Sequence, residues 1–328
     1  MRAILCNAYG PPEDLALAEV ADPVPGPGQL LVRVHAAAVN FPDVLFIAGK
    51  YQIKIPPPFI PGNEIAGEVV GGDGASLRPG QRVFGTTFGA FAELAVLDAA
   101  TAAPLPDGVE FGSAAAFGVT YRTAYHALRS VARVTPGEWV VVLGAAGGVG
   151  LAAVDLAVAM GARVLAAASS TKKLALCRDR GAEATVDYDN EDLKLRIREL
   201  TGDSARVVLD PVGGSYAEPA LRGLARGGTF VTLGYAAGSI PAIPLNLVML
   251  KNITVRGMEI RTFAEDYPDE CARDLAELSQ LFADGKVRPY IGARFPLAET
   301  AAALRFVADR KVLGKVIIDV ALPTGPRC

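Results

Sequence analysis

Val140-Val-Val-Leu-Gly-Ala-Ala-Gly-Gly-Val-Gly150 is a run of branched apolar residues that ends on a cluster of glycines. A short, unbroken apolar run of this kind is the pattern of a strand buried on both faces, and the residues after it, over about 149–160, read as a helix. Within the turn, Ala145-x-Gly147-x-x-Gly150 keeps the spacing of a dinucleotide-binding loop, with alanine at the first glycine position. The chemistry explains the residue types. Gly147 lets the backbone approach a pyrophosphate, the N–H groups and positive dipole of the helix start around Ala146, Gly147, Gly148 and Val149 meet its charge, and Gly150 allows helix and strand to pack closely. Residues 139–154 carry no charge, but the glycines and then Asp155 argue against a membrane span.

About twenty residues past the loop, the next strand ends in Leu165-Ala-Ala-Ala-Ser169-Ser170-Thr171-Lys172-Lys173. An Asp or Glu in this place would hold the ribose diol of NAD, and none is present. The hydroxyls of Ser169 and Ser170 and the ammonium of Lys173 suit a 2′-phosphate, so NADP(H) is the expected cofactor. A solvated helix start with ordinary surface lysines is the blander reading. Further on, Val207-Val-Leu-Asp and Thr229-Phe-Val-Thr-Leu are again apolar strands separated by helical stretches, and this alternation makes residues 119–257 a doubly wound parallel sheet.

On the other side of the loop, residues 1–118 read as short strands broken by Pro and Gly, with Asp22-Pro-Val-Pro-Gly-Pro-Gly as a turn segment and Leu30-Leu-Val-Arg-Val-His-Ala and Glu64-Ile-Ala-Gly-Glu-Val-Val as strands. That is an all-β pattern, a partly open barrel. Residues 258–328 hold two helical stretches and a last strand at Lys315, too little for a separate core, so they are expected to return to the first domain. The segment Pro244-Leu-Asn-Leu-Val-Met-Leu is markedly apolar, and residues 251–257 after it alternate like an edge strand, which two-fold pairing in a homodimer would cover.

The chain has 328 residues, 51% of them hydrophobic and 20% charged, with 32 Lys+Arg against 35 Asp+Glu and a net charge of −3. This balance excludes a disordered chain and lacks the basic excess that nucleic-acid binding uses. Cys6, Cys177, Cys271 and Cys328 lie far apart, with no C-x-x-C pair for a thiolate zinc site or a disulfide framework. The N-terminal residues carry too short an apolar run for a secretory signal, and the expectation is a reducing cytoplasm.

Taken together, Ala145-Ala-Gly-Gly-Val-Gly150, Asn40-Phe-Pro-Asp43, Gly49-Lys-Tyr51, Pro61-Gly-Asn-Glu64-Ile-Ala-Gly67, the Pro79-Gly-Gln-Arg-Val-Phe turn and Gly314-Lys315 resemble the zinc-independent quinone oxidoreductases of the medium-chain dehydrogenase/reductase superfamily. The resemblance runs in order over nearly the whole chain. It implies a GroES-like β-rich catalytic domain built from both termini, a Rossmann domain between them, and an active-site cleft where they meet. Zinc-dependent relatives place a ligand Cys near position 40 and a ligand His in Gly-His-Glu; this chain has Asn40 and Asn63 there, and no metal site is expected. His35 and His126 lack a Cys or a second His at ligand spacing and read as ordinary packed or surface residues.

Without a metal the acceptor must take hydride with little help, as a quinone or an alkene conjugated to a carbonyl does. The resemblance implies that Asn40 and Tyr51 donate hydrogen bonds to the oxygen on which charge develops. It also implies that Asn40 contacts the cofactor, that Thr120 approaches the nicotinamide, that Tyr188 lies at the adenosine phosphate end, that Leu233, Gly234 and Tyr235 line the cofactor, and that Lys315 reaches the cleft as a further cofactor-binding residue. The expected function is NADPH-dependent reduction of a small-molecule quinone. An enone or enoyl-thioester reductase and a non-catalytic NADPH-binding protein are the alternatives.

Overall fold

The computed structural model describes residues 1–74 and 77–320, so Cys328 lies outside the described residues. The chain forms two compact units, one made of Met1–Val119 and the segment from Pro289 onward, the other of Thr120–Arg288.

The first unit begins with β1 (Arg2–Leu5) paired antiparallel to β2 (Ala16–Glu19), followed by β3 (Gln29–Val39), the helix α1 (Phe41–Ile47), β4 (Glu64–Gly72), β5 (Arg82–Thr86), β6 (Leu94–Asp98), the short β7 (Ala103–Pro104) and α2 (Phe111–Ala115). In β3, Leu30, Val32 and Val34 are buried while Arg33 is exposed, the period-two pattern that reads as a strand in the sequence. At eleven residues β3 is long enough to serve two partners, β4 along one edge and β6 and the returning chain along the other, and its ladder with β4 shifts register between Leu31 and Val32 and again between Val34 and Ala36. Gly67 sits where β4 crosses β3 most closely; a Cβ there would fall 2.0 Å from the Arg33 carbonyl oxygen. Branched and aromatic side chains such as Val32, Ile65, Val83, Phe91 and Leu97 fill the interior.

Helix α3 (Gly118–His126) leads into the second unit, which continues with β8 (Trp139–Leu143), α4 (Gly148–Ala159), β9 (Arg163–Ala168), α5 (Thr171–Asp179), β10 (Ala184–Asp187), α6 (Leu193–Thr201), β11 (Ala205–Asp210), α7 (Ala217–Gly223), β12 (Thr229–Thr232), α8 (Leu245–Lys251), β13 (Thr254–Gly257), α9 (Ile260–Asp266) and α10 (Pro268–Ala283). The strands lie in the order β10-β9-β8-β11-β12-β13, all parallel. Numbered from β8, that is 3-2-1-4-5-6, the order whose switch point falls between β8 and β11. The uncharged stretch 139–154 is therefore strand, glycine loop and helix start, and no described helix is long and apolar enough to cross a membrane.

The chain returns to the first unit with β14 (Ile291–Pro296), α11 (Thr300–Ala308) and β15 (Lys315–Asp319), the last running antiparallel to β3 with Val316 opposite Val39. Two expectations are corrected. The return begins at Pro289 and not at 258, because α9 and α10 stay on the second unit: Asp274, fully buried, accepts from Ser130 at 2.6 Å and lies 2.9 Å from His126 Nδ1, while Glu277 accepts from Tyr125 at 2.7 Å. The first third is also not all β, since α1 and α2 interrupt it. The Phe-Pro pair that opens α1 suits a helix start, where proline's missing N–H has no intrahelical partner to lose.

Candidate functional site

In the second unit, the turn after β8 forms a cradle with little room for side chains. A Cβ on Gly150 would fall 2.2 Å from the Gly144 carbonyl oxygen, so only glycine allows α4 to start this close to the strand end. Gly147, extended, caps the helix, and its own Cβ would lie 3.3 Å from the same oxygen. Ala146 is buried beneath the loop, whereas Gly147, Gly148 and Val149 are half-exposed at the start of α4, a twelve-residue helix whose first N–H groups have no intrahelical partner. This cradle fits a pyrophosphate.

At the end of β9 the expected cofactor-reading residues come together. Ser170 caps α5 by accepting from the Lys173 backbone N–H, and Lys173 Nζ reaches back to donate to Ser169 Oγ at 2.9 Å. Tyr188 joins them, because its N–H donates to the Ala168 carbonyl at 3.2 Å and its ring packs against Tyr216, tilted, with centroids 4.2 Å apart. Beyond β12, Leu233 N–H donates to the Asp210 carbonyl at 2.8 Å, and Gly234 and Tyr235 follow, Tyr235 against Gly213. Thr120 is buried near the start of α3.

Sequence reasoning passed over two residues at this edge of the sheet. Asp210 and Thr232 are register partners at the carboxyl ends of β11 and β12, and Asp210 Oδ2 and Thr232 Oγ1 are buried with no hydrogen-bond partner among the described residues. Burial pushes the Asp210 carboxyl above its usual range, while the Gly213 and Val212 N–H groups that its other oxygen accepts pull it back. The signal in the sequence is a carboxylate ending the apolar run Val207-Val-Leu, followed by Pro-Val-Gly-Gly.

In the first unit, Asn40, Asp43, Glu64 and Lys315 form a buried polar cluster. Local sequence places two of them: Asn40 precedes α1, and Asp43, three residues on, accepts from the Asn40 backbone N–H at 2.7 Å. The other two arrive by strand pairing, since Lys315 is the residue before Val316 in the ladder that pairs Val316 with Val39, and Glu64 opens β4. Lys315 Nζ donates to Asn40 Oδ1 at 2.5 Å, to Glu64 Oε2 at 3.3 Å and to the Val39 carbonyl at 3.4 Å. Asn40 Nδ2 donates to Glu64 Oε2 and to Asn63 Oδ1, each at 3.0 Å. Glu64 Oε1 accepts from Val119 N–H at 2.7 Å.

Every hydrogen of the Lys315 ammonium and of the Asn40 amide is therefore engaged inside the protein, and neither side chain has one left for a ligand. Asp43 Oδ1 has no partner among the described residues, and burial pushes this carboxyl up to about 7 against the opposing pull of the Asn40 N–H and Lys315. Tyr51 is half-exposed beyond α1, with its ring 4.4 Å from Phe46.

Residues 26–107 match the alcohol dehydrogenase GroES-like domain and residues 148–277 match the zinc-binding dehydrogenase family. The chain is 38% identical over 328 residues to a quinone oxidoreductase-like protein 2 homolog of Nematostella vectensis, covering 97% of this chain and 88% of that protein. Among solved structures it is similar to the quinone oxidoreductase of Thermus thermophilus, studied also in complex with NADPH, at 35% identity and a TM-score of 0.83 over 98% of this chain and all of the other. The Escherichia coli quinone oxidoreductase complexed with NADPH matches at 28% identity with a TM-score of 0.89, again over 98% and 100%. With a parallel sheet in the 3-2-1-4-5-6 order, a GroES-like unit built from both ends of the chain and this degree of identity, the chain belongs to the quinone oxidoreductases of the medium-chain dehydrogenase/reductase superfamily.

Proposed function

We propose that the protein is an NADPH-dependent oxidoreductase that reduces quinones without a catalytic zinc. The observation that carries the cofactor choice is the Lys173–Ser169 contact at the end of β9, where an ammonium and two hydroxyls stand in the place of the carboxylate that favours NAD. Ala146, Gly147, Gly148, Val149 and Gly150 would hold the pyrophosphate, Ser169, Ser170 and Lys173 the 2′-phosphate, Tyr188 the adenosine end, and Leu233, Gly234, Tyr235 and Thr120 the nicotinamide half. When bound, NADPH supplies the hydride.

The polarity of the Asn40 corner supports a zinc-free site. Asn40 presents amide hydrogens, not lone pairs, to Glu64 and Asn63, and the carboxylate of Glu64 already faces the Lys315 ammonium. A divalent cation needs deprotonated or lone-pair donors, and this arrangement aims hydrogens at the position instead. Tyr51, half-exposed beyond α1, is the donor to the acceptor oxygen in this reading.

The proposal extends to a homodimer through β13, which pairs only with β12 among the described residues and lies beside α8, where Leu245 and Met249 are 78% and 73% exposed. The free thiols of Cys6, Cys177 and Cys271 suit a reducing cytoplasm. The deciding experiment follows NADPH oxidation at 340 nm across quinones, enones and enoyl thioesters, with zinc content measured on the same protein. Preference for quinones in a zinc-free preparation is expected. Preference for an enoyl thioester, tight NADPH binding with no turnover, or stoichiometric zinc overturns the corresponding part.

A further inference from the structure

A buried group that can only donate dictates which way two carboxamides point. Lys315 Nζ has three hydrogens and no lone pair, so the Asn40 atom at 2.5 Å from it is the amide oxygen. The Glu64 carboxylate has lone pairs only, so the Asn40 atom at 3.0 Å from it is the amide nitrogen. The second hydrogen on that nitrogen points at Asn63, and the atom that receives it is Asn63 Oδ1, at 3.0 Å. The polarity passes from Lys315 through Asn40 to Asn63, and it turns the Asn63 amide nitrogen outward. That nitrogen donates to no described residue, and Asn63 is half-exposed where Asn40, Glu64 and Lys315 are buried.

We propose that Asn63 is the amide that hydrogen-bonds the carbonyl oxygen of a planar, conjugated acceptor, with Asn40 and Lys315 as the positioning residues behind it. This rests on the quinone-reductase reading above and assigns the amide donor to a different residue from the one the sequence suggests. Aromatic side chains surround this corner. Asn63 C=O accepts from Thr87 N–H at 3.1 Å, and the next residue, Phe88, meets Phe46 of α1 edge-on at 5.5 Å, while Phe46 in turn holds Tyr51. The segment that carries Phe88 is thus tied to Asn63 by a backbone hydrogen bond and to α1 by aromatic rings. Phe88 is 57% exposed, a large apolar face with which a conjugated ring stacks favourably. A fixed N–H stabilises an oxygen as charge grows on it, and the Asn63 amide needs no reorganisation because its oxygen end is already held by Asn40.

The test compares Asn63→Leu, which removes both donors at similar size, and Asn63→Asp, which keeps the shape and replaces them with an acceptor. With 1,4-naphthoquinone, kcat should fall roughly ten- to a hundredfold in both, while KM for NADPH stays within about twofold. Equilibrium binding of 1,4-naphthoquinone in the presence of NADP+ should weaken about tenfold in parallel. In a cycle with Asn40→Ala, the second substitution should add no further loss on top of Asn63→Leu, since a positioning residue acts through Asn63, whereas a residue that merely supports the fold would lower activity independently. If Asn63→Leu does not fold, the isosteric Asn63→Asp carries the same readouts. Unchanged kcat and unchanged quinone binding overturn the assignment. Weakened quinone binding by these variants of a protein that shows no turnover leaves the Asn63 site standing and removes the reductase reading.

Discussion

Lys315 Nζ lies 2.5 Å from Asn40 Oδ1, although the two residues are 275 positions apart in the chain. The contact follows from one register: β15 pairs antiparallel with β3 so that Val316 faces Val39, and the residue on the outer side of each meets its counterpart. Because both are almost fully buried, the pair cannot exchange its partners for water, and the cluster acts as a unit.

Lys315→Met should expose how strongly that unit depends on its cation. Glu64 would remain buried with no positive partner, and removing one member of such a pair costs about 3–5 kcal/mol. Adding Glu64→Gln should recover part of the loss, since no uncompensated charge then remains. Urea unfolding of the two single variants and the double variant reads this directly, and strictly additive losses would contradict it.

Asp43 should make stability depend on pH near neutrality. Its carboxyl is pushed up to about 7 by burial, with Glu64 adding to the rise and the Asn40 N–H and Lys315 opposing it, against about 3.9 in the unfolded chain. The folded form holds the proton more tightly, so this contribution is complete below about pH 4 and is lost as pH rises through about 7. Asp43→Asn stays neutral and keeps an oxygen for the Asn40 N–H. Its melting temperature relative to the parent should therefore be higher at pH 8 than at pH 5; an offset that does not change with pH would count against a raised Asp43.

Lys173→Ala should weaken NADPH binding about tenfold or more, because a charge-assisted contact to a phosphate contributes about 1.5–3 kcal/mol, and should scarcely alter NADH binding. Fluorescence titration with each cofactor measures both. Equal affinity of the parent protein for NADPH and NADH would sink the 2′-phosphate assignment.

Tyr51→Phe keeps the ring packed on Phe46 and removes only the hydroxyl. On a weakly reactive enone acceptor kcat should drop by up to about 10²–10³-fold, more than KM rises, and by less on an intrinsically reactive quinone. Wild-type turnover on the weak acceptor would leave Tyr51 as a packing residue.

Thr254→Pro removes the N–H that donates to the Gly228 carbonyl at 3.0 Å and so loosens the edge strand β13, which forms the proposed seam, from its own sheet. Light scattering at micromolar concentration should report a dimer for the parent and a shift to monomer or aggregate for the variant. A monomeric parent would rule the seam out.

The Rossmann unit was legible in the residues because its signals are local. An unbroken run such as Val140-Val-Val-Leu has one buried solution, a glycine at 150 is demanded by a carbonyl only six residues away, and Ser170 caps the helix that carries Lys173. In each case the interacting groups lie within one βα turn, where period and spacing determine geometry. The acceptor corner is different. Asn40 and Tyr51 stand out by type, yet nothing in their neighbourhood says that the Asn40 amide is saturated, that Lys315 is enclosed, or that Asn63 points its nitrogen outward. Those facts depend on which atoms of β15 and β4 meet the end of β3, and a hydrogen bond's direction is set by the partner, 24 residues away for Glu64 and 275 for Lys315. The orphaned oxygens of Asp210 and Thr232 and the late return at Pro289 have the same origin: strand register and helix docking are decided by packing across the sheet, where burial and the need to satisfy polar groups outweigh anything a local run of residues encodes.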